Sequence, residues 1–491
     1  MKILKQIKDL KMKKIIHKIK TRPATGPIVI GIIGILLLTY SCELIRPVED
    51  IKPFYKLTEE NTFTDATKTE AVLNGVYTAW RGSNINYFTA QTMLLSGNYQ
   101  PSSAGQEESD LFDNNVDVAS SNLCYYYTEY YGLIQWANFV IKAMQSDIEI
   151  PGLSAIRRTE IEAEARLHRV MAHFFLLRNF GQFYDVSSEL GIMLSNAPLG
   201  GPINTPRSGV QDCYDFILND LDFAMANAPA TATVGRLSRH AAKAMKAKVL
   251  LYTKDWAGAA ALALETINSG VYELKTDFRT LYAEGYRSKE VIFSPISIFP
   301  YGIDYSGSFT NLPGQSLKSA ADKSVGTSSD GNLTTGEGFD SRFVYAHITS
   351  PLGVFNNKYP FPYVIDQQYN SQFILRLGEM YLVYAEAKAR TATGIDSNAL
   401  AKLNAIRKRA GLPDATPATK AELLEAIRVE KQLELFGEFN EPWFDLVRYH
   451  ILGDINISNF KSTITNNNQL ILPYPTLALA GNGGLVQNPG Y

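Results

Sequence analysis

The stretch LRLGEMYLVYAEAKAR (375–390) sets the architecture of this 491-residue chain, because a second stretch of the same kind follows it directly. The second stretch is SNALAKLNAIRKRAGLP (397–413). In both, apolar residues recur three and four positions apart, which is the pattern of a helix with one buried face. The sequence therefore predicts a pair of consecutive helices between residues 375 and 413.

A similar pair precedes it in SRHAAKAMKAKVLLYTKDWAGAAALALETINSG (238–270). Ser238 can cap the first helix, TKDW turns the chain, and an alanine-rich second helix is expected to end at Gly270. Small residues stand where the two helices must approach closely, at Ala244, Ala247 and Ala260. The unit resembles a tetratricopeptide helix pair.

The same periodicity predicts further helices, and two regions lack it. The helices cover residues 67–82, 134–146, 164–181 and 209–228. Their irregular spacing excludes a uniform solenoid and favours a mainly α fold. Residues 95–123 and 294–372 are instead rich in Gly, Ser, Asn, Pro and aromatic residues. Loops of this length are uncommon unless they carry a function or form a subdomain.

Composition narrows the class of protein. Hydrophobic residues make up 45% and charged residues 20%, as in an ordinary folded protein. A formal net charge of −2 argues against a general nucleic-acid binder. The cysteines, Cys42, Cys124 and Cys213, have no CxxC spacing, so they cannot build a disulfide framework or a Cys-rich zinc site.

The N-terminus has the features of an export signal. Residues 1–22 carry nine Lys or Arg against a single Asp, and the apolar run Ile28–Leu38 follows. Eleven helical residues rise about 16 Å, roughly half of what a bilayer core requires. A secretory signal peptide is therefore favoured over a membrane span, with Met12 as an alternative start.

Cys42 directly follows the small residue Ser41, an arrangement that resembles a bacterial lipoprotein signal. This predicts a lipoprotein signal peptide over residues 1–41 and a lipid on Cys42. Residues 42–57 then form a lipid-anchored tether that leads into the folded domain, residues 58–491. The alternative is an ordinary signal peptide with a chance cysteine.

No catalytic constellation emerges from the sequence. His168 and His173 are five positions apart and lie on different helix faces, so they do not form the HExxH zinc arrangement. Glu379 and Glu386 lie two helical turns apart, which leaves a glycosidase pair open but favours surface or buried structural acids. We therefore expect no enzyme activity, no metal site and no cofactor.

Several motifs occur in a fixed order. LTEENTFTDATKTEAVLNGVY (57–77) and RVMAHFFLLRNFGQFYD (169–185) come first, and the stretch 375–390 follows. LNAIRKRAGLP, ELLEAIRVEKQLELFGE, PWFDLVRY and the terminal QNPGY complete the series. Together they resemble the SusD/RagB family of Bacteroidetes outer-membrane lipoproteins, and the resemblance covers essentially the whole mature chain.

This resemblance implies a SusD-like fold with four tetratricopeptide-like helix pairs as a scaffold, within about residues 130–270 and 375–450. It also implies an irregular, loop-rich, ligand-binding half. The expected function is non-enzymatic capture of an oligosaccharide at the cell surface and its delivery to a SusC-like TonB-dependent transporter. One departure is GEFNEPWFDL (437–446), where the family commonly has an EGHR-like stretch. We interpret Pro442 as a variant helix start.

Sugar rings present a flat C–H face and a rim of hydroxyls, which aromatic and amide or carboxylate side chains can contact. In the two loop-rich regions the candidates are Asn98, Tyr99, Tyr301, Asp304, Tyr305 and Phe309. Trp80 and Trp443 lie in helical motifs and are expected in the core. Trp136 and the tyrosines of YYYTEYYG (125–132) stay open, and one of these tyrosines is a candidate to face the ligand.

Two alternative functions are also non-enzymatic. The same fold and transporter partner could serve a peptide cargo, as in RagB-like members. The helix pairs could instead form a protein-interaction scaffold that binds a peptide in a groove. The loops lack an obvious charged cluster for peptide termini, which favours a sugar.

Overall fold

The structure is a computed structural model that describes residues 58–80, 85, 92–97, 105–295, 340, 342, 347–350, 353–356 and 372–491. The predicted signal peptide and tether, including Cys42, lie outside these residues. No helix in the described part of the chain is long and apolar enough to cross a bilayer.

The described residues are mainly helical. The first α-helices are α1 (Glu59–Thr62), α2 (Ala66–Ala79), α3 (Gln106–Phe112), α4 (Ser121–Gln145), α5 (Ala155–Phe180), α6 (Val210–Asn227) and α7 (Arg239–Tyr252). They are followed by α8 (Trp256–Ile267), α9 (Phe278–Glu284), α10 (Leu377–Thr391), α11 (Ser397–Arg409), α12 (Lys420–Leu435), α13 (Glu441–Ile451) and α14 (Thr476–Gly481). Short 3-10 helices cover Met93–Ser96, Gly285–Arg287, Ile457–Asn459 and Asn467–Leu470.

The strands are short and form two antiparallel pairs. They are β1 (Val291–Phe293), β2 (His347–Ser350), β3 (Gly353–Asn356) and β4 (Leu375–Arg376). β1 pairs with β4, and β2 pairs with β3 so that His347 lies opposite Asn356.

The helices pack in chain order. α4 packs on α5, and the series continues through α6, α7 and α8; α8 then packs on α10, which also contacts α11 and α12. The two predicted helix pairs are α7–α8 and α10–α11. The prediction of a mainly α fold is confirmed, and this packing order is compatible with tetratricopeptide-like pairs.

Local chemistry explains most helix ends. The Ser238 hydroxyl accepts a hydrogen bond from the backbone N–H of Ala241, as a helix cap does. The three alanines predicted at the α7–α8 contact are buried. α8 ends at Ile267 instead of Gly270, because the N–H of Ser269 bonds to the carbonyl of Thr266, only three positions back, and Gly270 has φ = +70°.

The stretch 375–390 is not helical throughout. Its first two residues, Leu375 and Arg376, form β4, and the helix begins at Leu377. The reason is the pairing with β1, because carbonyls in and just before β1 accept hydrogen bonds from the backbone around β4. Phe293 O accepts from the N–H of Ile374 at 3.1 Å, and Glu290 O accepts from the N–H of Leu377 at 2.9 Å.

Trp80 and Trp443 lie in the core, as expected, with 1% and 2% of their surface exposed. The start of α13 also agrees with the sequence, because Pro442 stands in its first turn. Asn440, which precedes this helix, has φ = +58°, in the left-handed region that asparagine tolerates.

The scaffold buries ion pairs between distant helices. Lys248 on α7 contacts Glu379 on α10 at 2.8 Å and Glu441 on α13 at 2.7 Å. Arg178 at the end of α5 contacts Glu441 at 2.8 Å. The rings of Phe174 and Phe444 each lie 4.2 Å from the Arg178 guanidinium carbon. Glu379 is therefore a buried structural acid.

Glu386 is buried in a second group of ion pairs. It contacts Arg448 at 2.8 Å, Arg390 at 2.9 Å and Lys431 at 3.0 Å. Burial alone would raise the pKa of Glu386, but these cations hold it well below its ordinary value. An ionised carboxylate enclosed by three cations stabilises helix packing, so the structural interpretation of this glutamate is confirmed.

The two central histidines are structural. His168 Nδ1 accepts from the indole N–H of Trp80 at 2.8 Å, and the His168 side chain is fully buried. His173 Nδ1 lies 2.9 Å from the carbonyl of Arg169, and its Nε2 accepts from the N–H of Ser195 at 3.3 Å. Burial and the nearby Arg169 lower the pKa of His173 to about 3.

The C-terminal residues return to the first long helices. The Asn488 side chain donates to the carbonyl of Phe180 at 2.8 Å and to that of Leu472 at 2.6 Å. Arg207 donates to Asn488 Oδ1 at 2.7 Å. The backbone N–H of Thr476 donates to the carbonyl of Val118 at 2.9 Å. The last segment thus closes the surface of the α4–α6 region.

We expect His173 to make stability fall in acid. Between its unfolded pKa of 6.5 and its folded pKa of about 3, the unfolded chain binds a proton that the folded chain does not. The free energy of unfolding should therefore fall by about 1.4 kcal/mol per pH unit from this group. In a His173→Gln variant, urea titrations between these pH values should show a shallower slope. A slope equal to that of the wild type would contradict this assignment.

Candidate ligand-binding site

The residues predicted to contact ligand lie outside the described part of the chain. They are Asn98, Tyr99, Tyr301, Asp304, Tyr305 and Phe309. The first two belong to the stretch 98–104 and the other four to the segment 296–371. The structure does describe the residues on both sides of each stretch.

The ends of the long segment meet at the β1–β4 pair. Phe293 lies opposite Leu375 in this antiparallel pair. Because the two strands are bonded to each other, the described residues that flank 296–371 lie side by side on the helical scaffold.

A cluster of buried charges surrounds this junction, and we call it the arginine–carboxylate cluster. Its members come from β4 and the residue before β1, from the long segment, from α11 and α12, and from the turn after α12. They are Glu290, Asp340, Arg342, Arg376, Arg407, Arg409, Glu430, Glu434 and Glu438. All are buried except Arg407, whose side chain is 14% exposed.

Glu434 is the centre of this cluster. Its carboxylate accepts hydrogen bonds from Arg376 and Arg409, and from Arg342 at 3.1 Å. Arg376 also donates to Glu438 at 2.7 Å and to Glu290 at 3.1 Å. Charge-assisted bonds of this kind satisfy groups that would otherwise be costly to bury.

The cluster contains five carboxylates and four guanidinium groups. Burial raises the pKa of Glu430, and Asp340 and Glu434 add to this, while Arg342 and Arg407 act against it. Gly378 leaves space for the cluster, because a Cβ there would lie 2.9 Å from Glu290 Oε1. A side chain at Gly378 would displace the cluster.

Lys461 lies at the border of the shorter stretch. Gly97, the last described residue before this stretch, has φ = +74°, and a Cβ on it would lie 3.2 Å from Lys461 Cδ. Lys461 Nζ donates to the carbonyl of Phe112 and lies 3.7 Å from the centre of its ring. Burial lowers the pKa of Lys461 to about 8, with Asp113 acting against it.

Asn114 completes this border. Its side chain donates to the carbonyl of Leu95 at 3.3 Å and accepts from the hydroxyl of Thr463 at 2.9 Å. Leu95 precedes residues 98–104 and Asn114 follows them, so one buried amide connects the two sides of this stretch to the C-terminal part of the chain.

Tyr125 is the exposed tyrosine of the run 125–132. It is 55% exposed, whereas the other tyrosines of the run are buried. Tyr125 lies one turn after Ser121, whose backbone N–H donates to Glu107 of α3 at 3.1 Å. Tyr125 therefore lies on the same face of α4 as Ser121, which contacts α3. Trp136 is also exposed, at 46%, three turns further along α4.

The described residues contain no group of His, Cys, Asp or Glu that could hold a metal ion. A concavity of about 600 Å³ lies between α7 and α8. It is lined by His240, Asn268 and the ion pair of Lys243 with Glu265, at 2.9 Å. The charges of Lys243 and Glu265 in this concavity are therefore already paired with each other.

Sequence reasoning did not single out the cluster or Lys461. Glu430 and Glu434 continue the apolar face of α12 that Leu423 and Ile427 begin, at positions four and three apart. Charged residues at positions assigned to a buried face were a usable signal. No comparable signal marks Arg342 or Lys461, because neither lies in a periodic stretch.

Comparison with known proteins gives matches over most of the chain. Residues 50–251 match a family model described as "Starch-binding associating with outer membrane", and residues 297–491 match the SusD family model. A SusD-like protein of Bacteroides ovatus is 25% identical in an alignment of length 397 that covers 71% of this chain and 69% of the relative. A SusD-like protein of Formosa agariphila is 24% identical in an alignment of length 483 that covers 85% of this chain and 90% of the relative.

Solved structures share the fold. A SusD-like protein of Bacteroides fragilis superimposes with a TM-score of 0.69 at 20% identity, over 89% of this chain and all of the other. A laminarin-binding SusD-like protein gives a TM-score of 0.66 at 22% identity, over 87% of this chain and all of the other. These two structures confirm the SusD-like fold.

The cluster predicts that substitutions of two neighbouring glutamates lower the free energy of unfolding by different amounts. Glu434→Gln leaves buried guanidinium groups without a full set of acceptors, so the free energy of unfolding should fall by about 3–5 kcal/mol. Glu430 accepts from two guanidinium groups, one of them partly exposed, so Glu430→Gln should lower the free energy of unfolding by less. Urea titration of both variants measures the difference. Equal losses would contradict the central position of Glu434.

Proposed function

This chain belongs to the SusD family, and on that premise we propose that it captures an oligosaccharide at the cell surface without chemically changing it. The observation that carries the proposal is the match of two successive family models, one of them described as starch-binding. A structural neighbour named for laminarin binding supports a glycan as cargo. The partner we propose is a SusC-like TonB-dependent transporter, which receives the oligosaccharide.

We propose that the protein is held in the outer membrane by a lipid on Cys42. The family description "associating with outer membrane" supports this location. The short apolar run and the small residue before Cys42 favour cleavage and lipidation over a membrane span.

Binding would rest on ring stacking and hydroxyl pairing. The candidate contacts remain Asn98, Tyr99, Tyr301, Asp304, Tyr305 and Phe309. Tyr125 joins them, since it is exposed and lies one helical turn from Ser121, which contacts α3. An exposed tyrosine offers an apolar face for the C–H side of a sugar and a hydroxyl for its rim.

The test is calorimetric titration of the purified protein with glucan, mannan and xylan oligosaccharides and with short peptides. We expect saturable binding of one glycan class and recovery of the unmodified ligand by mass spectrometry. Binding of a peptide but of no glycan would show that the cargo is a peptide. Cleaved products would refute the non-enzymatic function.

We expect Tyr125→Ala to weaken glycan binding by about fivefold, because loss of one stacked ring costs about 1 kcal/mol. Tyr125→Phe keeps the ring and should retain most of the affinity. Trp136→Ala is the matched control, because it removes an exposed ring from the same helix far from α3. Titration calorimetry measures the affinity of the three variants. A loss of affinity in Trp136→Ala equal to that in Tyr125→Ala would argue against Tyr125 as a specific contact.

A further inference from the structure

We propose that Asp340 and Arg342 anchor the 296–371 segment to α12, and that the position of this segment depends on the contacts of the Arg342 guanidinium. The two residues are called the anchoring pair below. Their role in ligand binding rests on the proposed function, whereas their role in holding the segment does not.

The anchoring pair is bonded within itself. Arg342 donates from Nε to Asp340 Oδ1 at 2.9 Å and from its second terminal nitrogen to Oδ2 at 2.8 Å. The backbone N–H of Arg342 also donates to Asp340 Oδ1 at 3.0 Å. Since Asp340 is two positions away in the same segment, it fixes the direction in which the guanidinium points.

The remaining terminal nitrogen of Arg342 reaches α12. It donates to Glu430 Oε1 at 2.7 Å and to Glu434 Oε2 at 3.1 Å. These glutamates are four positions apart on one helix face, where like charges repel each other. A guanidinium between them removes the repulsion, so α12 offers a site that suits an arginine from outside the helix.

The two glutamates depend on Arg342 to different degrees. Glu434 also accepts from Arg376 and Arg409, whereas Glu430 has only the partly exposed Arg407 as a further contact among the described cations. The anchoring pair is fully buried, with Asp340 at 0% and Arg342 at 1% exposure. It therefore gives the segment a third attachment to the scaffold, far in sequence from the β1–β4 junction.

The first test compares Asp340→Asn/Arg342→Met with the wild type by limited proteolysis and mass spectrometry. This double variant removes one positive and one negative charge together, and methionine keeps much of the side-chain bulk, so the scaffold should still fold. We expect cleavage within residues 296–371 to become about tenfold faster, which corresponds to about 1.4 kcal/mol. Asp220→Asn/Arg166→Met, the matched control, removes an ion pair between α5 and α6 instead, and it should be cleaved within residues 296–371 like the wild type.

Cleavage outside residues 296–371 should stay unchanged in the double variant. Cleavage rates equal to those of the wild type within the segment would overturn the anchor. An equal acceleration along the whole chain would also overturn it, because it would show a general loss of stability.

Free guanidinium separates anchoring from simple charge neutralisation. In Arg342→Ala, millimolar guanidinium chloride should raise the melting temperature, with sodium chloride of equal ionic strength as the control. It should leave cleavage of residues 296–371 fast, because a free cation can fill the site on α12 without linking it to the segment. Restoration of slow cleavage by guanidinium would overturn the anchor.

Ligand affinity gives the last readout. If the wild type binds a glycan, Asp340→Asn/Arg342→Met should bind it about tenfold more weakly, whereas the control Asp220→Asn/Arg166→Met should not. Unchanged affinity in the double variant would overturn the positioning role. Absence of glycan binding by the wild type would refute the proposed function, and the proteolysis result would still decide the anchor.

Discussion

The contacts between Glu434 and its guanidinium partners are the interaction on which the rest of the structure depends. A buried carboxylate or guanidinium is costly unless its partners are in place, so these bonds form together or not at all. Through Arg376 they hold β4 against α12, and through Arg409 they hold the end of α11. The helical array and the base of the long segment are thus specified by one set of contacts.

The same principle recurs along the scaffold with different partners. Arg178 lies between two phenylalanine rings and contacts Glu441, and Glu386 is enclosed by three cations. Such contacts are directional, whereas apolar packing is not. They therefore select one arrangement of helices whose alanine-rich surfaces would also pack in others.

Helix periodicity was enough to predict the α7–α8 and α10–α11 pairs, because one buried face repeats along each helix. Ser238 was identified as a helix cap because capping also depends only on residues close by in the sequence. The ion pairs could not be predicted, since Arg178 and Glu441 are 263 positions apart and nothing local indicates such a partner. The conversion of Leu375 and Arg376 to a strand likewise depends on β1. The six ligand candidates rest on residue type alone.

The return of the C-terminal residues to the first long helices has a consequence for how the chain reaches its native state. Asn488 bonds to Phe180 across 308 positions, and Gln469 bonds to Asn114 across 355. Contacts of such high sequence separation are slow to form, because most of the loop-closure entropy must be lost first. The early helices cannot complete their surface until the final residues have been made. A chain that lacked these residues would leave that surface uncovered.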